Sequence, residues 1–93
     1  MIQSFRCTAT EAIFNEERNR KFPPEIQQRA LRKLMLLHAA PSLQDLRVPP
    51  GNRMESLTGE RTGQHSIRIN DQWRVCFVWE DGHAHDVEIV DYH

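Results

Sequence analysis

QHSIRINDQWRVCFVWEDGHAHDVEIVDYH, residues 64–93, is the stretch that decides the fold. Apolar and polar side chains alternate along it in steps of two, the period of a strand that buries one face. Gln64–Ile69, Trp73–Trp79 and His85–Tyr92 read as strands, joined by Asn70-Asp71-Gln72 and by a turn beginning at Asp81-Gly82. Links this short join antiparallel neighbours, so a meander is expected. Trp73, Val75, Phe77 and Trp79 share the side expected to face the core, with Ile67 and Ile69. Arg74, Cys76 and Val78 share the other side with Ser66, Arg68 and Asn70. Arg68 and Arg74 then emerge together on rigid strands, either as a clamp for phosphate or as two solvated sheet arginines.

Working back from the meander, Pro49-Pro-Gly-Asn52 signals a turn, followed by a strand over about Arg53–Leu57 and a loop over Thr58–Gly63. Before the turn the period becomes helical. Pro23-Pro24 suits a first helical turn, where a missing N–H costs nothing. Ile26, Ala30, Leu31, Leu34, Met35 and Leu37 then recur at helical spacing up to about Ala40, since Pro41 follows. An earlier helix opens at Thr8-Ala-Thr-Glu11, which matches a capping box, and carries Ala12, Ile13 and Phe14 before polar Asn15–Lys21 ends it. Residues 1–7 read as a short first strand able to pair into the sheet. The expectation is an α+β fold: two N-terminal helices packed on a mainly antiparallel, twisted sheet. Ninety-three residues without repeats, linkers or low-complexity tracts predict a single domain over 1–93.

Cys7 and Cys76 make no disulfide framework and sit in no paired metal-ligand spacing, as expected of reduced core residues in a cytoplasmic protein. No basic start leads into a long apolar run, and no apolar stretch reaches membrane-spanning length, so neither export nor membrane insertion is expected. His83-Ala-His85 straddles a turn, and spacing supplies no further imidazole or thiol for a metal. His38 is expected to meet the carbonyls at the end of its helix, and His65 to be an exposed strand residue. The four glycines form no phosphate-binding loop, and no Ser or Cys nucleophile is matched to a base by a motif. No cofactor or metal is called for. The formal net charge is −1, but every Lys and Arg lies within residues 1–74, while residues 75–93 carry Glu80, Asp81, Asp86, Glu88 and Asp91. A basic body with an acidic end suits a polyanion site holding a few carboxylates, and equally suits ordinary surface salt bridges.

The chain finishes on Asp91-Tyr92-His93. An acid, a phenol and an imidazole are the groups a metal-free nuclease recruits for proton transfer near neutrality. The plainer reading is a strand that stops at a polar end.

The run from Pro49 through Arg53, Glu60-Arg61, Arg68 and Arg74 to Phe77, with the closing Val87-Glu-Ile-Val-Asp-Tyr-His93, resembles the HigB group of the RelE/ParE toxin superfamily. The similarity spans essentially the whole chain. It implies a toxin of a bacterial type II toxin–antitoxin pair, a ribosome-dependent endoribonuclease that cleaves translated mRNA in the decoding site. A HigA-type helix-turn-helix antitoxin would restrain it, and operator DNA would be bound only through that antitoxin. Carried over by position, Asp91, Tyr92 and His93 match residues the family uses for catalysis, and Arg74 matches a basic residue of its RNA-facing sheet. Arg53, Arg61 and Arg68 fall in matching segments and are expected to bind RNA. Some members place a histidine shortly before the Gly-acid-Arg loop. Aligning Gly59-Glu60-Arg61 to that loop puts Glu55 there, so this chain either lacks the group or substitutes a carboxylate. The ParE branch implies a rival, a non-catalytic toxin of the same fold that inhibits a protein such as DNA gyrase; the Asp-Tyr-His end argues against it.

Overall fold

The structure is a computed structural model, and it describes residues 1–91. The expected meander is present. Strands β1 (Glu55–Ser56), β2 (Gln64–Arg68), β3 (Trp73–Glu80) and β4 (His83–Asp91) form one antiparallel sheet in the order β1-β2-β3-β4. The β3–β4 hairpin closes at Asp81 and Gly82, both at positive φ (53° and 79°), the backbone that a two-residue primed turn needs and that glycine adopts without strain. At the β2–β3 turn the Asn70 side chain substitutes for backbone. Its Oδ1 accepts from the amides of Gln72 (2.9 Å) and Trp73 (2.7 Å).

The N-terminal segment, expected as a strand able to pair into the sheet, lies parallel to β4 and among the described residues makes two isolated bridges to it, Ile2 with Ala84 and Phe5 with Val87. The interruption has a local cause. Asp86 takes a left-handed backbone (φ 53°) where the β3–β4 register shifts between Cys76 and Val78, and its amide donates to Ser4 Oγ (2.9 Å). At the opposite edge the strand expected over Arg53–Leu57 shrinks to Glu55–Ser56. Arg53 sits at φ 44°, capping a 3₁₀ turn over Pro50–Asn52, and that conformation is incompatible with a strand.

Helix α1 covers Thr8–Phe14 and α2 covers Pro24–Ala39, with Pro24 in the first turn. The capping box does not form: Thr8 is already helical, Cys7 is the N-cap, and no side chain caps the helix. The hydroxyl that matters is Thr10. Fully buried, its Oγ1 accepts from the Ile89 amide at 2.9 Å and lies 3.0 Å from Cys7 Sγ, which ties α1 to β4. Ile26, Ala30, Leu34 and Leu37 form the buried stripe of α2, with Leu31 half-buried; Met35, expected in that stripe, is exposed. The helices cover the sheet face carrying Ile67, Val75, Phe77, Ala84, Val87 and Ile89, and Phe22 meets Trp73 edge-on at 5.7 Å. His38 serves the N-terminal segment instead of its own helix end. Its Nδ1 accepts from the Ile2 amide (3.1 Å), and its ring lies 5.2 Å from that of Phe14. Between α2 and β1, buried Asn52 donates to the Leu46 carbonyl (3.1 Å) and accepts from Lys33 Nζ (2.5 Å), so its polar atoms are paired within the fold.

Candidate active site

Strand alternation turns Ser66 and Cys76 away from the helices, yet both are 0% exposed. Neither belongs to the contiguous apolar cluster between the helices and the sheet. What surrounds them is a set of charged side chains. Glu55 pairs in register with Ser66, and Glu88 pairs in register with Cys76. Arg74, two residues from Cys76 on β3, reaches Glu55 Oε1 at 3.1 Å and donates to Ser66 Oγ at 3.3 Å. Arg61, from the loop between β1 and β2, reaches Glu88 Oε1 at 3.0 Å and donates to Gln64 Oε1 at 3.1 Å. Two Arg–Glu pairs therefore flank one small polar floor.

These pairs are only partly in water. Side-chain exposure is 16% for Arg74, 19% for Glu88, 35% for Arg61 and 47% for Glu55. The fields of all four charges meet at Cys76. Burial pushes its thiol up first, Arg61 and Arg74 pull it down, and Glu88 and Glu55 push it up. A sequestered thiol held above its usual range is no nucleophile. The arrangement offers other chemistry: guanidiniums set on a sheet stabilise a phosphate that gains charge, and a carboxylate beside each can accept a proton.

Of the residues singled out from the sequence, Arg74 and Arg61 meet in this cluster. Arg68 is the register partner of Arg74, as the alternation requires, but it bonds to Asp71 in the following turn. Arg53 is exposed at the 3₁₀ turn and joins neither Arg–Glu pair. Asp91 pairs in register with Trp73, which by alternation sets it on the opposite side of the sheet from Arg74, and its carboxylate accepts from Gln72 Nε2 at 3.1 Å. Tyr92 and His93 lie outside the described residues. Glu55, named only through the family's loop, belongs to the cluster. Glu88 and Ser66 were missed as site residues. A signal for Glu88 was present, since it is the one acid between the apolar Val87 and Ile89.

His65 is half-buried, not exposed, and hydrogen-bonds through Nδ1 to Ser56 Oγ (3.1 Å). His83 Nδ1 lies 3.5 Å from the N-terminal ammonium. Among the described residues no three His, Cys, Asp or Glu side chains converge as a metal-binding group, and no helix is long and apolar enough to cross a membrane.

A two-helix layer covers one face of an antiparallel meander and an Arg–Glu lattice lies on the other, which makes this an α+β protein with a charged, helix-free sheet face. YafQ from Escherichia coli strain BL21(DE3) has the same fold, with a TM-score of 0.60 over 98% of this chain and 93% of that one at 12% identity. Residues 3–93 match the HigB-like toxin family, described as the RelE-like toxin of type II toxin–antitoxin system HigB. Toxin HigB-1 of Vibrio cholerae is 47% identical over 85 residues, 90% of each chain, and endoribonuclease HigB of Proteus vulgaris is 26% identical over 93 residues, all of each chain. The chain belongs to the HigB-like family of RelE-like toxins.

Proposed function

We propose that this chain is a toxin endoribonuclease that cuts translated mRNA on the ribosome, in the cytoplasm, and is restrained by a HigA-type antitoxin. The observation that carries this reading is the pair of guanidiniums, Arg61 and Arg74, held with carboxylates on the sheet face away from the helices. A relative aligned over the whole chain bears the name endoribonuclease, which supports RNA cleavage over gyrase inhibition.

The reaction needs four things. A base takes the ribose 2′-OH proton, the oxygen attacks the adjacent phosphate, a cation stabilises the added charge, and an acid protonates the leaving 5′-oxygen. Arg74 and Arg61 supply the cationic stabilisation, a term that can rival proton transfer. Imidazole titrates nearest neutrality, so His93 takes a proton-transfer role. Tyr92 orients RNA or assists that transfer, and Asp91 orients the chain end. Arg53 and Arg68 contact RNA outside the reacting phosphate. The Arg–Glu pairs leave little net positive charge to hold a free strand, so the ribosome supplies the positioning that this face lacks.

Primer extension on a message with and without programmed ribosomes tests the reading. Cutting is expected only where the message is being translated. Efficient cutting of free RNA would remove the ribosome requirement, and absence of cutting joined with blocked DNA supercoiling would transfer the chain to the gyrase-inhibiting class. Co-expression with a small helix-turn-helix protein from the adjacent gene is expected to restore growth, to co-purify with the toxin and to carry the pair to operator DNA.

A further inference from the structure

Arg61 and Arg74 reach the polar floor by different routes. Arg74 is rooted in β3, an internal strand paired on both sides. Arg61 hangs from the loop between β1 and β2, where Thr58, Gly59, Glu60, Thr62 and Gly63 are all exposed. The loop's own bonds are local: Arg61 N–H to the Thr58 carbonyl (3.3 Å), and Thr62 N–H and Oγ1 to the Gly59 carbonyl (3.2 and 2.7 Å). Such bonds close a turn without fixing where a long side chain goes. A long Arg side chain loses much rotamer freedom when it is held, so its position depends on the groups that receive it.

Gln64 Oε1 receives the guanidinium from beside the loop at 3.1 Å, and Glu88 receives it from across the sheet at 3.0 Å. Glu88 sits on β4, opposite Cys76 and on the far side of β3 from the Arg61 loop, so its pair with Arg61 spans the polar face. Its flanking residues Val87 and Ile89 are fixed in the core, and its own side chain is only 19% exposed. A carboxylate so placed is rigid, and its desolvation is tolerable only because a cation and its N–H groups meet it.

We propose that Glu88 is a positioning residue for RNA cleavage: it holds the Arg61 guanidinium over the Ser66–Cys76 floor beside Arg74, so that both guanidiniums receive the same phosphate. This rests on the RNA-cleaving reading of the face. Glu88 touches neither base nor ribose in this role and acts through Arg61 alone. A cation displaced by about an ångström is enough to lower a rate by about 10²-fold.

The test is a double-mutant cycle on the full-length chain, with single-turnover cleavage of programmed ribosomes at graded ribosome concentration and thermal melts of each variant. Glu88→Ala is expected to lower the saturating rate by about 10–10²-fold, with a smaller change in half-saturating concentration. Glu88→Asp should recover part of that loss. In an Arg61→Ala background, Glu88→Ala should add less than about twofold, because residues acting as one unit are not additive. An equal further loss in that background, or a wild-type rate for Glu88→Ala, would overturn the proposal. So would a wild-type rate for Arg61→Ala, while the RNA-cleaving reading stood. A wild-type chain that cut nothing on ribosomes would take both down together. Should Glu88→Ala melt too low to assay, Glu88→Gln, which keeps the size and removes the charge, enters the same cycle and is judged by the same additivity.

Discussion

Arg68 and Arg74 face each other as register partners across β2 and β3, and each is bound to a different acid, Arg68 to Asp71 and Arg74 to Glu55. Two like charges directly opposite on a sheet repel, and neutralising each separately relieves that repulsion. The two pairs are not equivalent. Asp71 lies exposed in a turn, where an ion pair contributes little, whereas Arg74 is largely sequestered against Glu55 and Ser66. Side-by-side arginines thus divide into one that serves the turn and one that serves the polar floor.

A difference in activity is expected from that division. Arg74→Ala removes a fixed cation from the proposed phosphate site and should lower ribosome-dependent cleavage by about 10²–10³-fold, the cost of losing one preorganised donor. Arg68→Ala should cost less than about tenfold, the loss of about one phosphate contact made in ground and transition state alike. Neither should unfold the chain, because Glu55 and Asp71 are both exposed enough to be solvated when left unpaired. Rates measured side by side on the same ribosomes check this. Equal losses would mean that the register pair acts as one clamp.

Acid should destabilise the fold through His65. Burial lowers the pKa of this imidazole below its ordinary 6.5, so in the folded chain the neutral ring is favoured. The unfolded chain therefore takes up a proton first. Above pH 6.5 the group is neutral in both states and contributes no slope; as pH falls below 6.5 stability is lost, until the folded-state ring is protonated as well. The ring lies 5.9 Å from Phe77 and hydrogen-bonds to Ser56, so His65→Gln is expected to keep the fold and flatten this part of the pH profile. Melting temperatures of both proteins between pH 8 and about pH 5 measure the difference, and parallel curves would remove His65 as the cause.

The meander and its faces were legible because period-two alternation is local: Ile67, Val75 and Phe77 could go nowhere but inward. The same logic placed Arg74 outward, and it applies equally to Glu88 between Val87 and Ile89. Their partners were not legible, since an ion pair joining a loop after β1 to β4 is a long-range contact that no local pattern encodes. The capping box failed for a related reason. Thr8 had the right spacing to Glu11, but the deeper constraint was Thr10, whose hydroxyl was needed by an amide of β4 far along the chain. Arg53 shows the opposite limit, a residue with an ordinary strand context whose left-handed backbone was set by the 3₁₀ turn before it.

Thr10→Val is accordingly expected to be costly out of proportion to its size. The change preserves shape, but it leaves the Ile89 amide without its 2.9 Å acceptor in a fully buried place. An unmet buried donor costs about 1–3 kcal/mol. Thr10→Ser keeps the oxygen and should retain most of the stability, whereas Thr8→Val, at the supposed cap, should be nearly neutral. Urea unfolding of the three variants tests the order Thr10→Val, Thr10→Ser, Thr8→Val from most to least destabilised.

The chain end provides the sharpest contrast between chemistry and ordinary surface behaviour. If His93 carries a proton in the rate-limiting step, His93→Ala should lower ribosome-dependent cleavage by about 10²–10⁴-fold, the range for losing a general acid or base. A polar residue that merely finishes a strand forecasts the reverse, since trimming such a side chain changes stability by less than about 0.5 kcal/mol and leaves activity alone. The pH dependence separates proton transfer from RNA binding. Wild-type rates should bend near the imidazole range, and the residual rate of His93→Ala should lose that bend while keeping its dependence on Arg74. Circular dichroism melts of the variant control for folding. A folded His93→Ala chain that cuts at close to the wild-type rate, with the wild-type pH profile, would remove the terminal histidine from the mechanism and leave proton transfer to Glu55, the carboxylate beside Arg74.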